Sequence, residues 1–111
     1  MQPTLLDIEA IARSFDDLAT AKGWGAYHSP KNLAAALAVE SAELLEIFQW
    51  LTEAQSLQLK DDSGARQRVA GEMADILMYL VALAARLDIS LPEAVVHKIA
   101  VNRQRFLTDH S

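Results

Sequence analysis

Two stretches of the chain carry the same contradiction. In ESAELLEIFQW (residues 40–50) Glu40 and Glu43 would lie roughly 60° apart on a helix. Leu33, Ala36, Leu44, Ile47 and Trp50 fall within the same arc, so both carboxylates sit on the apolar face. GEMADILMYL (71–80) repeats the pattern, with Glu72 and Asp75 sharing an arc with Ile76, Tyr79 and Leu83. A carboxylate on a core-facing arc is strongly unfavourable without a partner, so each helix needs an answer from its neighbour. When the two helices pair, they make a pocket lined by oxygen.

A hard divalent cation, Mg²⁺ or Mn²⁺, is the simplest occupant of such a pocket, and all-oxygen ligation favours either over iron. A di-iron bundle would use Glu-x-x-His motifs, and no histidine of this chain stands at ligand spacing from either acidic pair. The competing reading is a buried ion-pair network in which Arg66, Arg68 or Arg86 neutralises the acids. Glu46 lies about 120° round the helix from Glu40 and is a lesser candidate ligand.

The rest of the chain is read as helix. Leu5, Ile8, Ile11, Phe15 and Leu18 recur at helical spacing and predict a first helix over Thr4–Lys22. Ser29 as N-cap and Pro30 at the first helical position open a second over Lys31–Leu51. Thr52–Gly64 is expected to be a polar connection, its Lys60-Asp61-Asp62 run a solvated turn. The third helix is predicted over Ala65–Leu87, closed by Asp88. A capping box of Ser90 and Glu93, with Pro92 inside it, opens a fourth that lasts to Phe106. Strand-like alternation is missing, and 111 residues leave room for one domain. The expected fold is an all-α four-helix bundle over residues 1–111.

Between the first two helices, GWGAYHSP packs two glycines, two aromatics, a histidine and a proline into eight residues. Such a loop is costly to leave in water. It either folds over a ligand or uses Trp24 and Tyr27 to cap the core. On the fourth helix Val95, Ile99 and Phe106 define the stripe expected to be buried, flanked by Lys98, Asn102 and Arg105. A metal-bound polyphosphate needs such donors. A merely solvated flank is the other reading.

Net charge is −5, which argues against a nucleic-acid partner. Cysteine is absent, so disulfides, thiolate metal sites and thiol nucleophiles are excluded. The longest apolar run, Ile76–Ala85, is too short to span a bilayer, and the N-terminus lacks a signal-peptide pattern. A soluble cytoplasmic protein without a membrane partner is the expectation.

E-x-x-E at Glu40 and Glu43, a spacer, then E-x-x-D at Glu72 and Asp75 resembles the signature of the MazG-like all-α nucleoside triphosphate pyrophosphohydrolases. ELLEIFQW, DILMYLVALAARLDISLPEAV, KIAVNRQRF and W-x-x-Y-H-S-P-K-N-L extend the resemblance from Trp24 to Phe106, nearest to the dCTP pyrophosphatase branch. It implies hydrolysis of a (deoxy)nucleoside triphosphate, dCTP or a modified dCTP-like nucleotide, to the monophosphate and pyrophosphate, as nucleotide-pool house-cleaning. It further implies that Glu40, Glu43, Glu72 and Asp75 hold Mg²⁺ on the phosphates. One of the four deprotonates the attacking water, Glu43 being the first candidate. Lys98, Asn102 and Arg105 would contact triphosphate or sugar, Trp24, His28 and Trp50 the base, and Tyr79 the sugar. The first helix matches poorly and offers Phe15 and Leu18 where the family draws a base contact. Family members associate as dimers or tetramers, and a homo-oligomer also suits the apolar surplus of so small a chain. Substrate rivals are dUTP or dUDP and a broad set of nucleoside triphosphates. The non-enzymatic rival is an oligomeric helical interaction module.

Overall fold

The structure, a computed structural model, describes residues 6–108, apart from the side chains of Ala26 and Thr108. Helix α1 (Ile8–Ala21) begins after Asp7, whose carboxylate accepts the Ala10 N–H at 3.0 Å. The cap places the start later than the expected Thr4, which itself lies outside the described residues. At its other end Gly23, at φ 72°, donates to the Thr20 carbonyl (3.1 Å), and Trp24 N–H donates to that of Ala19 (2.8 Å). This left-handed closure suits glycine, and it fixes where Trp24 leaves the helix.

A 3₁₀ turn at Gly25–Tyr27 follows, and the Asn32 amide ties it down by donating to the Tyr27 carbonyl at 2.9 Å. Ser29 accepts the Asn32 N–H at 3.2 Å and, with Pro30 in the first turn, starts α2 (Pro30–Phe48) as expected. The connection over Thr52–Gly64 is more ordered than its composition implied. Thr52 and Gln55 form a reciprocal capping box (2.9 and 3.1 Å) that starts a short α3 (Glu53–Gln58). A 3₁₀ turn at Leu59–Asp61 follows, and Asp62 caps α4 (Ser63–Arg86) by accepting the Ala65 N–H at 3.1 Å. The polar connection thus carries a short helix as well as the solvated turn, because its order comes from caps, which leave no apolar periodicity to read.

Helix α4 ends at Asp88, a non-glycine residue at φ 54°. Asp88 N–H donates to Ala85 C=O (3.3 Å) and Ile89 N–H to Ala84 C=O (2.9 Å), a closure that turns the chain sharply into α5 (Leu91–Thr108). Of the expected box at α5, the structure shows the Ser90 half, its hydroxyl accepting Glu93 N–H at 3.3 Å.

Packing is dominated by α2 against α4, with α1 laid against α4 beside it. The buried core is small and built largely of small side chains: Ala19, Leu33, Ala65, Val81, Ala82 and Ala84. The described residues contain helices and turns and no strand. None of their helices is long and apolar enough to cross a membrane.

The fourth long helix does not close a bundle within one chain. Val95 (54% exposed), Ile99 (54%) and Phe106 (63%), expected as a buried stripe, face outward. The turn after Asp88 carries α5 off the three-helix body of α1, α2 and α4, where little of the same chain reaches it. The consequence is visible in size. The chain exposes 8839 Å², against roughly 6,000 Å² for a folded monomer of its mass. Its radius of gyration is 17.1 Å, against about 13 Å for a compact domain of this length.

Candidate active site

The α2–α4 pairing brings the acidic faces together. Carboxylate oxygens of Glu40, Glu43 and Glu72 lie within 4.8 Å of one another. Glu40 and Glu72 are half-buried, and one oxygen of each, Oε2, is sealed from solvent with no hydrogen-bond partner. Glu43 is exposed at the mouth of the cluster. Asp75, half-buried, stands outside that trio, close enough for its charge to act on Glu40. Three of the four expected ligands therefore converge, with the fourth alongside.

Burial pushes the Glu40 carboxyl up to about 7. The neighbouring carboxyls of Glu72 and Glu43 and the charges of Glu43 and Asp75 add to the shift. A proton is thus retained where like charges would otherwise meet. Burial also raises the Tyr79 hydroxyl, helped by the charges of Glu40, Asp75 and Glu43, so it stays a protonated donor. Arginine does not supply the compensation: among the described residues the ion pair is Arg13–Glu9 on α1, at 4.0 Å, and Arg66, Arg68 and Arg86 pair with no acid. An all-oxygen donor set with two buried oxygens lacking donors fits a hard divalent cation.

On one side of the cluster opens a cavity of about 270 Å³, lined by Phe15, Leu18, Trp24, Glu40, Asp75 and Tyr79 among others. Its aromatic groups form a chain. Phe15 lies 5.3 Å from His28 and 5.3 Å, edge-on, from Tyr79, and Trp24 lies 6.3 Å from His28. Trp24 and Tyr79 line this cavity together, whereas His28, in ring contact with Phe15, lines a separate cavity of about 290 Å³. Phe15 and Leu18, the apolar residues that the first helix offers for a base contact, both line the cavity shared by Trp24 and Tyr79.

On the other side of the acids lies a wider cavity of about 710 Å³, lined by Glu43, Glu46, Arg68, Glu72 and Asp75 with Ile47 and Gly71. Glu46, a lesser candidate on angle alone, reaches this rim. Four expected site residues stay apart from these cavities within one chain. Trp50, 86% exposed, lies beyond the end of α2. Lys98, Asn102 and Arg105 ride on the outlying α5, and the Arg105 guanidinium sits 5.2 Å over the Phe106 ring.

Residues 35–110, which include all four acids, most of α2 and all of α4, match the MazG-like family. The chain belongs to that family. It is 41% identical over 105 residues to dCTP pyrophosphatase 1 of Rattus norvegicus and 40% identical over 105 residues to that of Homo sapiens. Each match covers 95% of this chain, and the chain spans about 60% of the length of these relatives. A crystal structure of a pyrophosphatase from Archaeoglobus fulgidus superposes with a TM-score of 0.80 at 33% identity, over 96% of this chain and 97% of that one. This MazG-like fold supplies the acidic cluster and an adjoining aromatic cavity from one chain.

Proposed function

We propose that the protein hydrolyses a (deoxy)nucleoside triphosphate to the monophosphate and pyrophosphate, with dCTP or a modified dCTP-like nucleotide as substrate. One observation carries this reading: donor-less, buried carboxylate oxygens stand beside an aromatic-lined cavity of base size. The dCTP pyrophosphatase relatives support the choice of substrate.

Glu40, Glu43, Glu72 and Asp75 would hold Mg²⁺ or Mn²⁺, which when bound neutralises phosphate charge and acidifies a nearby water. Trp24 and Phe15 offer faces for the base, His28 backs them, and Tyr79 donates from beside the sugar. A water adds to phosphorus, the bond to the bridging oxygen of the leaving pyrophosphate breaks, and the water's proton passes to a carboxylate. Glu43, the exposed member of the converging trio, is the first candidate for that base.

The site is completed in this reading by a second copy. The surplus of roughly 2,800 Å² per chain over a compact monomer is at the upper end of what each partner of an obligate homo-oligomer buries. A dimer or tetramer would cover α5 and bring Lys98, Asn102 and Arg105 to the phosphates and Trp50 to the base. A non-catalytic helical module would neutralise its buried acids with arginine, which no described residue does here.

The test is pyrophosphate release measured with Mg²⁺ across a panel of canonical and modified nucleotides. We expect the highest kcat/KM for dCTP or a modified dCTP. A maximum for dUTP, or equal rates across the panel, would move the substrate to the rival classes. Release from none of them would reject the enzyme.

A further inference from the structure

We propose that Arg68 grips the pyrophosphate end of the substrate, a role that rests on the triphosphate reading above. Arg68, Glu72, Asp75 and Tyr79 follow one another along α4 at intervals of four, three and four residues, so they share one face. Along the axis Arg68 lies about 6 Å from Glu72 and about 16 Å from Tyr79. Asp75 lines both cavities, so the acids divide an aromatic end, with Trp24 and Tyr79, from an open end that holds Arg68. A nucleotide with its base against Trp24 and its phosphates over the acids must point its terminal phosphates toward Arg68.

The chemistry of the open cavity supports the same orientation. Its charged lining is four carboxylates, Glu43, Glu46, Glu72 and Asp75, with Arg68 as the one cation. Arg68 stands four residues before Glu72, within reach of an ion pair, yet it pairs with no acid among the described residues. That order, with the cation N-terminal to the acid, is the weaker one on a helix, so the guanidinium remains available. A planar fork of donors suits two phosphate oxygens at once, and the charge leaving with pyrophosphate would develop at this end.

The experiment is calorimetric titration of the whole chain with inorganic pyrophosphate and, separately, with dCMP, both in Mg²⁺. Wild type is compared with Arg68→Ala, Arg68→Lys and, as a control for net charge, Arg66→Ala. Arg68→Ala should weaken pyrophosphate about tenfold and leave dCMP unchanged, Arg68→Lys should fall between, and Arg66→Ala should match wild type. Unchanged pyrophosphate binding in Arg68→Ala overturns the role, as does equal loss of both ligands or an equal effect of Arg66→Ala. Should wild type bind neither ligand, the triphosphate reading itself falls and takes this inference with it.

Discussion

Glu40 and Glu72 meet across the α2–α4 contact with one carboxylate oxygen of each sealed from water and no donor for either. A native core rarely tolerates such oxygens, because each forfeits its hydration without compensation. Retaining a proton on Glu40 lessens the repulsion in the free protein. A cation held by the same oxygens would remove it.

Replacing either acid by its amide should therefore separate stability from function. Glu40→Gln or Glu72→Gln supplies a donor to the facing carboxylate and removes a repulsive charge. The metal-free melting temperature should stay equal or rise, while the rise on adding Mg²⁺ and the hydrolytic activity are both lost. Glu43→Gln and Asp75→Asn should also abolish activity with the fold intact. Full activity in any two of the four variants would sink the four-ligand site.

The proton on Glu40 sets a pH dependence of defined sign. Its carboxyl titrates near 4.5 in an unfolded chain and at about 7 in the folded, metal-free protein. The folded state thus holds the proton more tightly, and the associated stability is fully present below 4.5 and lost as pH rises through about 7. Metal-free melting temperature should fall across that window, and Glu40→Gln should flatten the fall. A Glu40→Gln profile as steep as wild type would place the coupling elsewhere.

Trp24 should act on the substrate more than on the fold. It is about half exposed, on a loop already fixed by the Gly23 closure and the Asn32–Tyr27 hydrogen bond. A buried structural Trp cut to Ala costs about 3–5 kcal/mol, whereas a lost base stack costs roughly 1–3 kcal/mol in binding. Trp24→Ala should raise KM at least about tenfold and shift the melting temperature by a few degrees. Normal nucleotide binding with a much lower melting temperature would make the loop a core cap.

The exposed face of α5 makes its own prediction. Light scattering at micromolar concentration should give the mass of a dimer or tetramer, and Ile99→Asp with Val96→Asp should lower both mass and activity. A monomer with full activity would reject a pocket shared between copies.

The two acidic faces were legible because a carboxylate on an apolar arc violates a rule that every surface helix obeys. The order of the long helices followed from Ser29, Pro30, Ser90 and the spacing of Leu, Ile and Val. Helix α3 was hidden because Thr52 and Gln55 stabilise it by capping alone. The outward course of α5 was hidden too. Val95, Ile99 and Phe106 mark an apolar face, and helical spacing does not fix whether the rest of the chain packs against it. The part Phe15 plays is ambiguous in the sequence for a related reason: periodicity marks a residue as inward-facing, and both a core and a cavity wall face inward.

Phosphorus NMR of the reaction with dCTP tests the central claim most directly, because it identifies which bond breaks. With Mg²⁺ the account predicts dCMP and pyrophosphate as the first products, no inorganic phosphate, and no turnover once EDTA is added. Release of dCDP and phosphate, or turnover that persists in EDTA, would contradict it.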